Sequence, residues 1–303
     1  MTDEQIQPIP AVIPVDLADG YRVWYSTRLG GYSSAAYGHA NMSERQAGDE
    51  QNARKNREAL HEVIGTSVHT IHQVHSGEVV LVDEVAPEDR ASMSELEADG
   101  MVSAAGEAVG VFAADCLPVL FADPVNHVHA AAHCGRRGLM NDIIGQTVAA
   151  MEFKGAEREH IRATLGPCIC GQCYEVGSEV AMEFEARFPG AATITRFGGA
   201  GIDLEKAALL ALKEAGIQPK HLVDSLPRIA AATEYLAPDE ELHELCANDG
   251  EGGSFEERFE QLQNVMCTLE NPLWHSHRRA TLAGKTQEGR QLASVGAYTG
   301  EAY

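Results

Sequence analysis

Apolar and polar residues alternate along YRVWYST (21–27), the pattern of a half-buried strand, whereas DEQNARKNREALHEVIG (49–65) has helical spacing and ends on glycine. TIHQVHSGEVVLVDE (70–84) predicts two strands joined at His75-Ser76-Gly77. AVGVFAADCLPVLFADP (108–124) predicts two apolar strands broken at Asp115-Cys116-Leu117-Pro118, and VHAAAH (128–133) continues the same sheet. Three amphipathic helices follow, at 139–153, 177–188 and 203–216. Hairpins mixed with helical crossovers predict α/β layers around a shared core, not an all-parallel doubly wound sheet. From 237 to 263 the chain turns acidic and glycine-interrupted, which predicts an exposed insertion with short helices, peripheral to any chemistry.

Length and charge narrow the function. A chain of 303 residues is long enough for a sizeable core, and we read it as one domain over 1–303 carrying the acidic insertion. Its 45 acidic against 23 basic residues, a formal net charge of -22, argue against nucleic acid and anionic membranes as partners. An anionic ligand must then be small and held by a local basic pocket. The first thirty residues lack a basic stretch followed by an apolar one, and no apolar run approaches the roughly 18 residues of a membrane span, so the expected compartment is the cytoplasm. Seven cysteines, an odd number in a chain too large to need stapling, favour thiol or metal roles over disulfides.

The chemistry concentrates in HVHAAAHCGRRG (127–138), where His127, His129 and His133 share one face of the predicted strand. His133 comes last, and strand ends present side chains to a cleft more readily than strand middles. Cys116 sits at the break of its strand pair, and His75 at the tip of its hairpin. Two imidazoles and one thiol from three strand ends suit zinc with an open fourth position. Their separations match no short metal motif, so a buried thiol and packed imidazoles stay open as the plain alternative. His127 and His129 are read as packing or hydrogen-bonded histidines.

A resemblance adds to this. STRLGGYS (26–33), QVHSGEVV (73–80), ADG (98–100), ADCLPVLFADP (114–124), AAHCGRRGL (131–139), LGPCICGQCYEVG (165–177) and CTLENPLWHSHRR (267–279), with GRQ at 289–291, occur in this order. In these blocks the chain resembles the laccase-domain family, also called multicopper polyphenol oxidase or YfiH-like, whose members are understood as purine nucleoside phosphorylases. The resemblance implies a single layered α-β-β-α sandwich with mixed sheets and a zinc site of His75, Cys116 and His133. It further implies phosphorolysis of adenosine, inosine, guanosine and methylthioadenosine to free base and ribose 1-phosphate or its methylthio analogue, with adenosine deamination beside it. Copper is expected to bind in vitro, and the expected assembly is a monomer or homodimer.

A thiolate and two neutral imidazoles leave zinc one formal positive charge and a position for water or substrate. Phosphorolysis also needs cations to steady an anion against the ribose C1'. Arg28 is the first choice, with Gly30 and Gly31 admitting close backbone approach, and Arg137 the second. Asn41 and Gln73 are candidates for orienting ribose or base. The chain departs from the family pattern at Cys134 and Arg136, where AHAGWRG is usual, and at His275 and His277, which we read as surface or hinge residues, with general acid or base as the alternative if they reach the site. CICGQC (168–173) offers three thiols that, with Cys134 or Cys267, would make a closed second metal site; cysteine is scattered in this family loop, which favours buried or redox-sensitive thiols instead.

The competing functions are a copper-dependent phenol oxidase, for which His127-x-His129 and His275-x-His277 are too few paired histidines, and a metal-free hydrolase using Cys116 with His133 as base. A non-enzymatic protein with structural zinc is a third. No His-x-Glu of the zinc nucleobase deaminases occurs, which leaves Asp115 as the proton-shuttle candidate for deamination.

Overall fold

Two β-sheets stacked face to face, each backed by helices, make up the computed structural model, which describes residues 7–298. In chain order the elements are β1 (Val12–Ala18), β2 (Tyr21–Ser26), α1 (Glu50–Ile64), β3 (Val68–His69), β4 (Val79–Leu81), β5 (Gly100–Ser103), β6 (Ala108–Ala113), β7 (Leu117–Asp123) and β8 (Val128–Cys134). Then come α2 (Arg136–Met140), α3 (Ile143–Phe153), β9 (Arg162–Leu165), α4 (Ser178–Arg187), β10 (Ala192–Ile194), β11 (Ala200–Ile202), α5 (Leu204–Glu214) and β12 (Leu222–Val223). The chain closes through α6 (Leu226–Leu236), α7 (Glu240–Asn248), α8 (Phe255–Glu260), α9 (His277–Leu282) and β13 (Gln291–Ala297).

One sheet runs β1-β2-β13-β6-β3, antiparallel except for the parallel edge pair β6·β3, and the other β12-β9-β7-β8-β5-β4, antiparallel in the middle with a parallel pair at each edge; β10 and β11 form a separate ribbon. Every residue of β7 and β8 is buried, because helices cover the outer face and the second sheet covers the inner one. That is why these strands read as continuous apolar runs. Val119 and Phe121 point out among residues of α3, α4 and α5, while Leu120 and Ala122 point in against Val109, Val111 and Ala293 of the facing sheet. Leu60 of α1 packs with Val68, Ala108 and Leu292 on the outer face of the five-stranded sheet. The expected α-β-β-α layering is therefore present. No helix among the described residues is long and apolar enough to cross a membrane.

Two local expectations fail for one reason. Residues 70–84 do not form a hairpin, and the two strands of 108–124 do not pair, because in both places the chain leaves one sheet to enter the other. β3 and β6 lie in the five-stranded sheet, β4 and β7 in the six-stranded one. A hairpin and a sheet change look alike locally, since each is two apolar runs around a polar break. The helix expected from 139 begins at Ile143, after Asp142 takes a left-handed φ of 60°.

The acidic stretch 237–263 is not a peripheral insertion. Leu242, Leu245, Cys246 and Phe255 are buried in the same apolar cluster as the inner faces of both sheets. Its acids serve a buried cation: Arg28, fully buried, donates to Asp249 at 2.9 Å and lies 3.6 Å from Glu251. Arg258 holds Asp249 at 2.6 Å, and Arg279 and Lys285 hold Glu251 at 2.6 and 3.1 Å. Asp249 and Glu251 of the acidic run are thus the counter-charges of Arg258 within it and of Arg28, Arg279 and Lys285 from elsewhere in the chain.

Removing one partner of a buried ion network leaves the other charges uncompensated, so Arg28→Ala is expected to cost about 3–5 kcal/mol of stability, read by urea unfolding. Burial raises the Glu251 carboxyl, but Arg28, Arg279 and Lys285 more than reverse this and hold it well below the usual carboxylate range. A depressed folded pKa stabilises above the unfolded value and loses that contribution as pH falls, so unfolding free energy should drop below about pH 4.5. Glu251→Gln should flatten that acid limb; an unchanged slope would remove Glu251 from the account.

Candidate functional site

Both sheet changes deliver a side chain to the same place. His75 lies on the crossover from β3 to β4 with φ 62°, and Cys116 on the crossover from β6 to β7, directly after Asp115 at φ 91°. Left-handed backbone at a non-glycine residue costs of order 1–3 kcal/mol and persists only where the surroundings fix it. Here carboxylates do the fixing. Asp99 Oδ2 accepts the Ser76 amide at 2.6 Å, the Ser76 hydroxyl at 2.9 Å and the Val74 amide at 3.2 Å. Asp115 accepts the Thr268 hydroxyl at 2.7 Å and the Arg278 amide at 2.6 Å. His133, near the end of β8, is buried with Nδ1 2.8 Å from Asp99 Oδ1, which leaves its Nε2 for the cleft.

The three side chains converge. One donor atom each from His75, Cys116 and His133 lies within 4.8 Å of the others, with Cys116 Sγ 3.7 Å from His75 Nε2 and the two imidazole rings edge-on at 4.9 Å. Gly135 floors the cluster: a Cβ there would stand 2.9 Å from Cys116 Sγ and 2.8 Å from His75 Cδ2. Burial pushes the Cys116 thiol up, but His133 and His75 reverse that and bring it down to about 6. Burial pushes His133 down, and Cys116 and Asp99 bring it up to about 9. Asp99, raised by burial, is brought down to about 2 by its bonds to His133 and Ser76. The opposite shifts of Cys116 and His133 favour a thiolate beside an imidazolium. Two imidazoles and a thiolate with one side open suit a borderline-soft divalent ion that keeps a position for another ligand.

The open side faces a cavity of about 480 Å³ whose walls include Gln73, Phe112, Tyr174, His277, Arg278 and Arg290. Phe112 and Tyr174 give it aromatic surface. Arg278 sits 5.6 Å from the Tyr174 ring centre and donates to the Glu175 carbonyl at 2.8 Å. Arg290 and His277 share Glu288, each at 2.8 Å, and that hydrogen bond raises the His277 imidazole despite its partial burial.

Several sequence-level candidates stand elsewhere. Arg28 is sealed in its ion network and does not reach the cavity, and the Gly30 amide is taken by Glu241 at 2.9 Å. Arg137 is exposed on α2 and is not among the cavity-lining residues. Asn41 is fully buried; it bonds Asp49 at 2.8 Å and accepts the Arg290 amide at 3.0 Å, so it braces a cleft residue without facing the cleft. Gln73 does line the cavity, but both ends of its amide are paired with the Phe112 backbone, at 2.7 and 2.8 Å. Asp115 lines it too, with both oxygens engaged.

Among the other histidines, His127 is in the turn before β8, exposed and at φ 57°, so it never shares the strand face; His129 is buried with Nε2 2.7 Å from the Glu107 carbonyl. His275 is buried near the Ala40 carbonyl, whereas His277 is exposed at the surface and also borders the cleft. The sequence reading gave no role to Asp99, Phe112, Tyr174, Arg278 or Arg290. All five lie within or beside blocks it had singled out, and that adjacency was the one available signal.

Residues 22–235 match the family described as multi-copper polyphenol oxidoreductase laccase. A purine nucleoside phosphorylase of Corynebacterium glutamicum is 35% identical over 215 residues, 70% of this chain and 85% of that protein. One of Streptomyces griseus is 36% identical over 202 residues, 65% and 80% of the two chains. Among solved structures, a Neisseria meningitidis protein is 26% identical with a TM-score of 0.69, covering 94% of this chain and 98% of its own. The hypothetical protein YfiH of Bacillus licheniformis, at 22% identity, shares the fold with a TM-score of 0.73 over 95% and 97%.

Partners that orient a ligating histidine affect metal affinity by about 10–100-fold. Asp99→Asn, which weakens both the His133 contact and the anchor of the His75 loop, should lower zinc affinity by that factor in a competitive chelator titration. Gly135→Ala should do the same by crowding Cys116 and His75; wild-type affinity in both variants would detach these residues from the cluster.

Proposed function

The chain belongs to the multi-copper polyphenol oxidoreductase laccase family, and from that membership we propose that it is a zinc-dependent purine nucleoside phosphorylase. The observation that carries the reading is the meeting, in one cavity, of an open-sided His75, Cys116 and His133 cluster with aromatic walls and the guanidinium groups of Arg278 and Arg290. The substrates we assign are adenosine, inosine, guanosine and methylthioadenosine, with phosphate as co-substrate. The assigned compartment is the cytoplasm, in keeping with seven unpaired thiols.

His75, Cys116 and His133 would hold the zinc, which when bound supplies concentrated positive charge and Lewis acidity at the cleft. The protein's own groups do the rest. Arg278 and Arg290 hold phosphate against the ribose, taking the part that the sequence suggested for Arg28 and Arg137. A phosphate oxygen bonds to C1' as the C1'–N9 bond breaks, and the bonding pair leaves with the purine. His277, whose hydrogen bond to Glu288 raises its pKa and so favours the imidazolium, gives the departing base its proton. Phe112 and Tyr174 offer surface for the purine ring. Adenosine deamination in the same cleft is the second activity we assign: a water oxygen bonds to the purine C6 as the C6–N6 bond breaks, and ammonia leaves to give inosine.

The oxidase reading draws support from the family's description alone. His129 and His275 are each buried against a backbone carbonyl, apart from the His75, Cys116 and His133 cluster. The metal-free hydrolase reading uses the thiolate–imidazolium pair of Cys116 and His133, and metal analysis separates it from ours.

Incubation with adenosine and phosphate should yield adenine and ribose 1-phosphate in a phosphate-dependent manner, with the activity lost in Cys116→Ala. Arg278→Ala should raise KM for phosphate by roughly tenfold or more, the equivalent of about 1.4 kcal/mol of binding, while Arg137→Ala leaves it unchanged. Absence of any phosphate-dependent product from metal-loaded protein would end the phosphorylase assignment, and inosine as sole product would leave the deaminase alone.

A further inference from the structure

Three thiols and a carboxylate gather at a second place. Cys170 and Cys173 come from the turn after β9, and Cys267 and Glu270 from the segment before α9, yet one donor atom from each of the four lies within 4.8 Å of the others. Cys173 and Cys267 are fully buried, and Glu270 nearly so. We propose that Cys170, Cys173, Cys267 and Glu270 form a second, closed, structural site for a thiolate-seeking divalent ion, zinc foremost. The inference stands whether or not the proposed activity does.

The surroundings are built for such an ion. Glu270 Oε2 is fixed by the amides of Gln263 and Asn264 at 2.8 and 2.9 Å, which leaves Oε1 turned to the thiols, 3.1 Å from Cys173 Sγ and 3.9 Å from Cys170 Sγ. The Cys170 amide donates to Cys267 Sγ at 3.4 Å, a bond that favours the thiolate over the thiol. Arg196 lies 3.2 Å from Glu270 Oε1 and offsets part of the charge of three thiolates and a carboxylate around one divalent ion. Two donors at a C-x-x-C turn with two more on a facing segment supply the four ligands of a closed structural zinc site. Cys168 and Cys134, the other thiols weighed for this role, are buried outside the group.

Apolar burial alone gives no reason for three sulfurs and a carboxylate from separate segments to share one small volume. A Cys170–Cys173 disulfide is the main competitor, and it would leave Cys267 and Glu270 without a shared partner. The ion would also act on the cleft. It ties the 168–174 turn to the 263–270 segment where they already exchange backbone bonds, Cys168 amide to Met266 carbonyl and Thr268 amide to Cys168 carbonyl, both at 3.0 Å. Tyr174, a cleft wall, follows Cys173 directly, and Thr268 holds Asp115 beside Cys116.

The test is metal content of the full chain purified without chelator under reducing conditions. Wild type should carry about two zinc ions, and His75→Ala/Cys116→Ala and Cys170→Ser/Cys173→Ser about one each. If the second variant fails to fold, cobalt loaded into His75→Ala/Cys116→Ala decides: an intense sulfur-to-cobalt charge-transfer band that weakens on Cys267→Ser supports the site. A single zinc in wild type with none in His75→Ala/Cys116→Ala overturns it. So does a Cys170–Cys173 disulfide found by non-reducing mass spectrometry of freshly purified protein.

Discussion

The buried carboxylate of Asp99 carries more of this site than any ligand does. One oxygen orients the His133 imidazole, and the other gathers the amides and hydroxyl of the loop that holds His75 in left-handed backbone. The same residue begins the run into β5, whose register sets Gly100 opposite Ala132 of β8. A single acid therefore links the sheet to both histidines. Its negative charge is stable in the interior because every bond it accepts comes from a fixed donor, which is the condition under which burying a charge is tolerated.

Asp99 has this reach because of how the chain passes between the sheets. Each sheet change is a short irregular stretch with backbone groups that no ladder satisfies, so polar side chains must satisfy them. Asp99 does so for the crossover that carries His75, Asp115 ties the crossover that carries Cys116 to the Thr268 hydroxyl and the Arg278 amide, and the side chains these crossovers present, His75 and Cys116, are the chemically capable ones. Of the four non-glycine residues with positive φ among those described, two are at these crossovers. Strain is concentrated where the cleft is formed.

A chain with net charge -22 nonetheless gathers cations at its cleft. Arg278, in the first turn of α9, and Arg290, after it, come from the last part of the chain, and Arg279 beside Arg278 is drawn inward to Glu251. The acids of 237–263 thereby anchor the segment that supplies the cleft arginines. Neighbouring arginines in one short run meet different fates: one solvates a buried carboxylate, the next borders the cavity. The difference is the direction each takes around α9, which composition does not contain.

Much of the fold was legible from periodicity alone. The apolar runs of β7 and β8, the helices α1, α4 and α5, and the layered α/β class follow from local burial patterns, which are properties of neighbouring residues. His75, Cys116 and His133 stood out because each lies at the end of a strand-like run. Only the tertiary structure decided that Arg28 is a structural cation and Arg278 a cleft one, that Asn41 braces a cleft residue from outside the cleft, and that Asp249 and Glu251 of the acidic stretch pair with buried arginines. The reason is physical: a charged side chain's role is set by what it meets across space, and those partners lie tens to hundreds of residues away in the chain, where no local pattern reaches.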